Sequence, residues 1–199
     1  MHINSLVVHH RTVIQASIDV VSRVGSASLD RPTPCAGWSL SDLLAHMTAQ
    51  HRGFAAAARG QGSDLSAWQV LPLGPHPVAS YTDAASDVLS AFATPSSAFD
   101  LPEFHPVSRF PAAQAISFHL IDYVVHGWDV ARSLGLDYSL PPATLELALP
   151  IALSVPNDAN RLTPDAPFAP ALPAGDAPTP LDQILAALGR SPSWLASVA

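Results

Sequence analysis

The segment PAAQAISFHLIDYVVHGWDVARSLG, residues 111–135, carries the clearest pattern in the chain. Its apolar residues recur at helical intervals, and the first half, up to Asp122, contains no Asp, Glu, Lys or Arg. Pro111 stands where the first turn of a helix tolerates proline, and Gly135 is a typical helix terminator. The pattern predicts a largely buried helix over 111–134, which needs partner helices to cover its apolar surface.

Further helical segments lie on both sides of this one. A first helix is predicted over 5–27 and a second over 39–59, where Ser39 and Asp42 resemble a capping box. The other predicted helices cover 80–93, 142–154 and 181–188. Alternating β-branched and polar residues are scarce, so the sequence predicts an all-α fold, a four-helix bundle with an appended C-terminal segment.

The proline distribution suggests how the chain is organised. Residues 1–155 are predicted to form the helical bundle. Residues 156–199 are predicted to form a Pro-rich arm and a short C-terminal helix that pack on the same domain.

Composition narrows the class of protein. The chain has 199 residues, 48% of them hydrophobic and 13% charged, which fits one globular domain and excludes a disordered chain. The net charge is −7 and all nine basic residues are arginines without a cluster, so neither nucleic acid nor an anionic membrane is expected as a partner. No apolar run predicts a transmembrane helix or a secretory signal. The single cysteine, Cys35, favours a reducing, cytoplasmic location.

Three residues with metal-ligand chemistry lie in the strongly apolar parts of two predicted helices. Asp122 and His126 are four positions apart and therefore neighbours on one helix face. His46 lies in the apolar part of the second helix. If the two helices face each other, these side chains offer two nitrogens and one oxygen, a set that suits a divalent first-row metal and leaves positions open for water or substrate.

Several alternatives stay open from the residues alone. His119, three positions before Asp122, is an alternative second imidazole, but it lies about 10 Å along the helix from His126, too far for both to bind one ion. Asp122 and His126 also fit a structural hydrogen-bonded pair, and His46 fits a core histidine. Asp129 fits two roles, an acceptor that orients a ligating imidazole and an ion-pair partner of Arg132.

Other polar residues give weaker indications. Cys35 is interpreted as a packing residue, because no His or Arg adjoins it in the sequence to activate its thiol. His105 and Arg109, which precede the helix over 111–134, are candidates for the mouth of a pocket.

Four segments carry a resemblance to a known family. The chain resembles the mycothiol-dependent maleylpyruvate isomerase family, a branch of the DinB-like superfamily, and its ending resembles a short actinobacterial group of metal-binding proteins. These segments are TPCAGW (33–38), DLLAH (42–46), VHGWDVAR (125–132) and PLDQILAALGR (180–190). The resemblance implies a DinB-like four-helix bundle and one divalent metal held by His46, Asp122 and His126. The isomerase pattern has Glu where this chain has Asp122, and the isomerases carry a larger C-terminal domain.

The resemblance also implies an activity. We expect a metal-binding protein that uses mycothiol to isomerise, or to transfer sulfur to, a small electrophilic substrate. The metal would be Zn, Ni, Mn or Fe, and the proton acceptor would be His119 or a hydroxide on the metal. The partner is then a small-molecule substrate, and a homodimer is compatible with the sequence. The alternatives are a thiol-independent metal-dependent lyase, cyclase or hydrolase, and a non-catalytic metal-stabilised binding module.

Overall fold

The computed structural model describes residues 3–104, 106–163, 166–176 and 178–195. These residues form six α-helices and one two-stranded antiparallel sheet. The helices are α1 (Ile3–Val21), α2 (Leu40–Ala58), α3 (Pro77–Ala91), α4 (Ala112–Leu134), α5 (Pro142–Ser154) and α6 (Pro180–Ala187). The strands are β1 (Ala98–Asp100) and β2 (Arg109–Pro111). The predicted all-α, DinB-like bundle is confirmed.

The first four helices enclose the hydrophobic core. α1 packs against α4 and α3, and α2 packs against α3 and α4, so the four helices form a closed ring. α5 lies against α4 and α1, and α6 lies against α5. The core is built from fully buried side chains on all four helices, among them Leu6, Ile14, Leu43, Met47, Tyr81, Val88, Ile116 and Leu120. The division of the chain at residue 155 into bundle and arm stays a prediction.

The ends of α2 and α4 follow the sequence signals. The Ser39 side chain accepts from the backbone N–H of Asp42, whose carboxylate in turn accepts from the N–H of Ser39, so the predicted capping box is present. α4 ends at Gly135, which adopts the left-handed conformation with φ +73°. These ends fix which residues of the two helices face each other.

α2 and α4 run in opposite directions through the bundle. The rings of His46 and His126 lie 5.3 Å apart, and those of His51 and His119 lie 5.2 Å apart. Residues later in α2 therefore meet residues earlier in α4. This pairing separates the histidines of the two helices into two groups, one at each level of the bundle.

Two details differ from the sequence-based prediction. The first helix ends at Val21 and not at residue 27, because the Ser28 hydroxyl bonds to both the N–H and the carbonyl of Gly25 and closes a 3-10 turn. The short strands β1 and β2 were not predicted, since three residues are too few for an alternating pattern to be recognised. Among the described residues, none of the helices is both long and apolar enough to cross a bilayer.

Candidate metal centre

The structure brings together the three residues expected to bind a metal. His46 projects from α2, while Asp122 and His126 project from the facing side of α4. One potential ligand atom from each lies within 4.8 Å of the others. His126 is buried, whereas His46 and Asp122 are half-buried, so solvent reaches one side of the group. The predicted facing of the two helices therefore places the three side chains at one point.

The imidazole of His126 lies between two carboxylates. Its Nε2 is 3.3 Å from Asp122 Oδ1, and its Nδ1 is 3.0 Å from Asp129 Oδ2. Asp129 has no solvent exposure. Because Asp129 accepts from Nδ1, it orients the ring so that Nε2 faces Asp122 and His46, and Nε2 would bind a metal there after losing its proton.

Asp129 has a cationic partner, but it is not Arg132. The guanidinium of Arg190, just after α6, donates from Nε to Asp129 Oδ1 at 3.1 Å. Arg132 instead donates to the backbone carbonyl of Trp194 at 2.8 Å. Of the two roles left open for Asp129, the geometry supports the acceptor that orients His126, and the expected ion pair with Arg132 is absent from the described contacts.

Cys35 belongs to the same buried network. Its Sγ lies 3.1 Å from Asp129 Oδ2 and 3.0 Å from Arg190 Nη2. The interpretation of Cys35 as a packing residue without a nearby His or Arg is therefore incomplete, because the fold supplies Arg190 from a distant part of the chain. Sequence reasoning weighed Cys35 but did not single out Arg190, although both lie in segments that carry the family resemblance.

Cys35, His126 and Asp129 form a second group with metal-ligating chemistry. The guanidinium of Arg190 contacts both the thiol and the carboxylate of this group. A fixed cation at that position opposes a second cation through Coulomb repulsion. The group of His46, Asp122 and His126 has no such cation among its described hydrogen-bond partners, so it is the better candidate for a metal ion.

The electrostatics of the two ligand histidines differ. Burial and the neighbouring His126 lower the pKa of His46 to about 4, so its imidazole is neutral at pH 7. Burial alone would lower the pKa of His126, but the charge of Asp122 and the hydrogen bonds from its ring to Asp122 and Asp129 outweigh burial and raise that pKa well above 6.5. The potential between Asp122 and Asp129 thus favours a positive charge.

His119 lies in a different part of the bundle. Its Nδ1 is 2.8 Å from His10 Nε2 and its Nε2 is 3.3 Å from His51 Nδ1, and all three side chains are fully buried. We call these three residues the histidine cluster. The structure does not bring His119 into the ligand group with Asp122, so His126 is the imidazole that shares a site with His46.

One aromatic side chain contacts a candidate ligand. Trp38 packs against His46 with ring centroids 4.9 Å apart. Phe104 stacks on Phe118, which lies one helical turn before Asp122. Trp38 thus gives the half-buried His46 an apolar neighbour.

Of the two residues expected at the pocket mouth, the structure describes only Arg109. Arg109 is exposed and pairs with Asp100 at 2.9 Å, while His105 lies outside the described residues. Sequence reasoning did not single out Glu103, which accepts from Gln50 Nε2 at 2.9 Å. Burial raises the pKa of Glu103, and Asp122 adds to that effect. A second carboxyl group therefore lies near the candidate centre.

Comparison with known proteins agrees with the resemblance found in the sequence. The chain is 29% identical over 192 residues to uncharacterized proteins from two strains of Mycobacterium tuberculosis, CDC 1551 / Oshkosh and ATCC 25618 / H37Rv. The match covers 92% of this chain and 96% of each relative.

Two solved structures share the fold. They are crystal structures of the mycothiol-dependent maleylpyruvate isomerase and of a mutant of that enzyme, with TM-scores of 0.56 and 0.58 and sequence identities of 14% and 12%. Each alignment covers 77% of this chain and 69% of the isomerase chain. A family model described as the mycothiol maleylpyruvate isomerase N-terminal domain matches residues 10–131, which include His46, Asp122 and His126. The chain therefore belongs to the mycothiol maleylpyruvate isomerase N-terminal domain family.

Proposed function

We propose that this protein binds one divalent metal ion through His46, Asp122 and His126 and acts as an isomerase or S-transferase on a small electrophilic substrate, with mycothiol as the thiol. The observation that carries the proposal is the convergence of the three ligand atoms beside an imidazole already oriented by Asp129. Membership of the isomerase family supports the reaction class. The single cysteine favours a cytoplasmic location.

The residues fit a metal ion in chemistry and in spacing. Two imidazoles and one carboxylate are a typical ligand set for a catalytic zinc ion, which keeps a further position for water or substrate. With metal–ligand bonds of about 2.1 Å, tetrahedral ligand atoms lie about 3.4 Å apart. Asp122 Oδ1 and His126 Nε2 lie 3.3 Å apart, so the aspartate reaches the position although it is one methylene shorter than the glutamate of the isomerase pattern.

The chain's own residues would prepare this site for reaction. A bound metal would favour the thiolate form of the thiol at neutral pH. Asp129 orients the ring of His126, and the half-buried faces of His46 and Asp122 leave room for reactants. The ring of Trp38 would shield one side of His46 from water.

The reaction proposed for the substrate is an addition of sulfur to an electrophilic carbon. Addition of the thiolate forms a C–S bond and breaks a π bond of the substrate, whose electron pair moves to the neighbouring carbon or oxygen and takes up the proton that the thiol lost. Rotation and loss of the thiol then give an isomer, while retention of the C–S bond gives an S-substituted product. The role of proton acceptor predicted for His119 stays a prediction, and its place in the histidine cluster is separate from the ligand group.

Metal content tests the ligand set directly. We expect about one divalent metal ion per chain after incubation with Zn²⁺, and a His46→Ala variant should bind zinc on the order of 100-fold more weakly, because a lost ligand costs at least as much as a lost outer partner. The matched control is His76→Ala, which removes an exposed histidine at the start of α3. Equal zinc affinity in the wild type and His46→Ala, measured by competition with a chromophoric chelator, would refute the ligand set.

Cobalt spectroscopy tests the use of a thiol. Mycothiol added to the Co²⁺-loaded protein should produce a near-ultraviolet sulfur-to-cobalt charge-transfer band. His46→Ala should not produce the band. A normal cobalt spectrum that mycothiol leaves unchanged would favour a thiol-independent lyase, cyclase or hydrolase. A cobalt ion that raises Tm but exchanges no ligand would favour a non-catalytic binding module.

A further inference from the structure

We propose that Arg190 is a positioning residue of the metal centre, which holds Asp129 and, through it, the ring of His126. The inference rests on the proposed metal site. Arg190 lies in the C-terminal segment, outside residues 10–131 that match the family model, whereas Cys35, His126 and Asp129 lie inside them. The C-terminal segment would then be part of the centre although it contributes no metal ligand.

The contacts of Arg190 fix the plane of the Asp129 carboxylate. Nε donates to Oδ1 at 3.1 Å, and Nη2 lies 3.2 Å from Oδ2. The guanidinium therefore makes a bidentate contact with both oxygens, a geometry that arginine provides and lysine does not. Among the described residues, Oδ1 has no hydrogen-bond partner other than Arg190. With Oδ1 held in this way, Oδ2 faces Nδ1 of His126.

The hydrogen bonds between Arg190 and Asp129 are buried, so their loss would disturb the site. Asp129 is fully buried and Arg190 is 6% exposed, so water does not replace a lost contact without a rearrangement. A buried carboxylate that loses its cation is strongly destabilised and turns toward any other donor. The remaining donors at Oδ2 are His126 and the Cys35 thiol, and neither would hold the carboxylate plane as a bidentate contact does. The orientation of His126 then loses its support.

A specific turn delivers Arg190 to this position. Gly189, which follows α6, has φ +75°, and a Cβ there would lie 2.5 Å from the carbonyl oxygen of Ala169. The N–H of Arg190 bonds back to the carbonyl of Leu185 at 2.8 Å. The turn closes the helix and directs the arginine side chain into the bundle, where it also meets the thiol of Cys35.

Zinc affinity, measured by competition with a chromophoric chelator, tests the inference. Loss of an outer-shell partner typically weakens metal binding by about 10–100-fold. We therefore expect Arg190→Gln to raise the Kd for Zn²⁺ by about that factor and to shift the visible bands of the Co²⁺ complex. Arg190→Lys should fall between the wild type and Arg190→Gln. The matched control is Arg132→Gln, which removes another arginine that ties the C-terminal segment to α4 and should leave the Kd and the bands unchanged.

The outcomes separate this inference from the proposed function. Wild-type zinc binding that is lost in His46→Ala, together with unchanged affinity in Arg190→Gln, would overturn only the role of Arg190. An equal loss in Arg132→Gln would show a general anchoring role and would also overturn it. Absence of zinc binding by the wild type would refute the metal site and the inference with it. If Arg190→Gln does not fold, the cobalt spectrum of Arg190→Lys decides: a wild-type spectrum contradicts the inference, and shifted bands support it.

Discussion

Below pH 6, three buried histidines that stay neutral in the folded state should alone cost the metal-free protein about 4 kcal/mol of unfolding free energy for each unit that the pH falls. This effect comes from the histidine cluster, His10, His51 and His119, on three different helices. Since folded domains are stable by only about 5–15 kcal/mol, such a slope predicts acid unfolding between about pH 5 and pH 3.

The surroundings of the histidine cluster explain why its members stay neutral. His119 packs edge to face against Phe54 and stacks on Tyr123, and His10 lies 4.7 Å from the ring of Phe92. Burial lowers the pKa of His10 to about 3, with a further contribution from Arg11. Burial also lowers the pKa values of His51 and His119 well below 6.5, and the small opposing effect of Asp122 on His51 does not reverse this.

The direction of the pH effect follows from these shifts. Below pH 6.5 the unfolded chain takes up a proton on each histidine and the folded protein does not, so acid favours the unfolded state. Each such proton changes the free energy of unfolding by about 1.4 kcal/mol per pH unit. His46, with a pKa of about 4, acts in the same direction. His126, whose pKa is raised, contributes stability that is fully present below pH 6.5 and is lost as the pH rises through its folded pKa.

Denaturant unfolding between pH 7.5 and pH 5 measures the slope. His51→Phe should reduce the slope of unfolding free energy against pH by the contribution of one proton, about 1.4 kcal/mol per pH unit, because one titrating group is removed. His76→Phe, at an exposed position, should leave the slope unchanged. A wild-type stability that is flat from pH 6.5 to pH 5 would show that the histidine cluster takes up protons in the folded state.

The helix that carries Asp122 and His126 could be predicted almost to the residue, because its period and both ends are local properties of the sequence. The helix predicted over 111–134 is α4 (Ala112–Leu134), closed by Gly135 at φ +73°. The first helix was predicted to continue six residues beyond its observed end at Val21, because Val24 continues the apolar period while the Ser28 hydroxyl bonds to the backbone of Gly25. The spacing of apolar residues does not predict local side-chain hydrogen bonds of that kind.

The proposed metal ligands could be predicted from the sequence, whereas the contacts among Arg190, Asp129 and Cys35 could not. Helical spacing placed Asp122 beside His126, and only the position of His46 depended on how α2 and α4 pack. The contacts of Arg190 with Asp129 and Cys35 join residues 61 and 155 positions apart. They depend on the turn at Gly189, whose direction no periodic pattern encodes. The ligand set itself stays a prediction until metal binding is measured.

Arg161 should account for one of the largest losses of stability on substitution outside the bundle core. Its guanidinium, 6% exposed, donates to backbone carbonyls of the C-terminal segment. The acceptors are the carbonyl oxygens of Val155, Pro156, Ala169 and Ala187, at 3.1, 2.7, 3.1 and 2.6 Å. Arg161→Met keeps the apolar stem but removes every donor. With about 1 kcal/mol for each acceptor left unsatisfied, the loss should be about 4 kcal/mol.

The control is Arg59→Met, which breaks an exposed ion pair with Asp87. Both of those side chains are at least 43% exposed, so the loss should stay below about 1 kcal/mol. Denaturant unfolding compares the two variants, and a difference under about 1 kcal/mol would contradict the assignment.

Arg161→Met should also weaken zinc binding, because Ala187 ends α6 and Ala169 lies against Gly189, the turn that positions Arg190. Since Arg161 contacts no proposed ligand, a loss of affinity in this variant would link the folding of the C-terminal segment to the metal centre. Suppose that Arg161→Met binds zinc with full affinity while Arg190→Gln binds it more weakly. Arg190 would then reach Asp129 without the hydrogen bonds that Arg161 makes in the C-terminal segment.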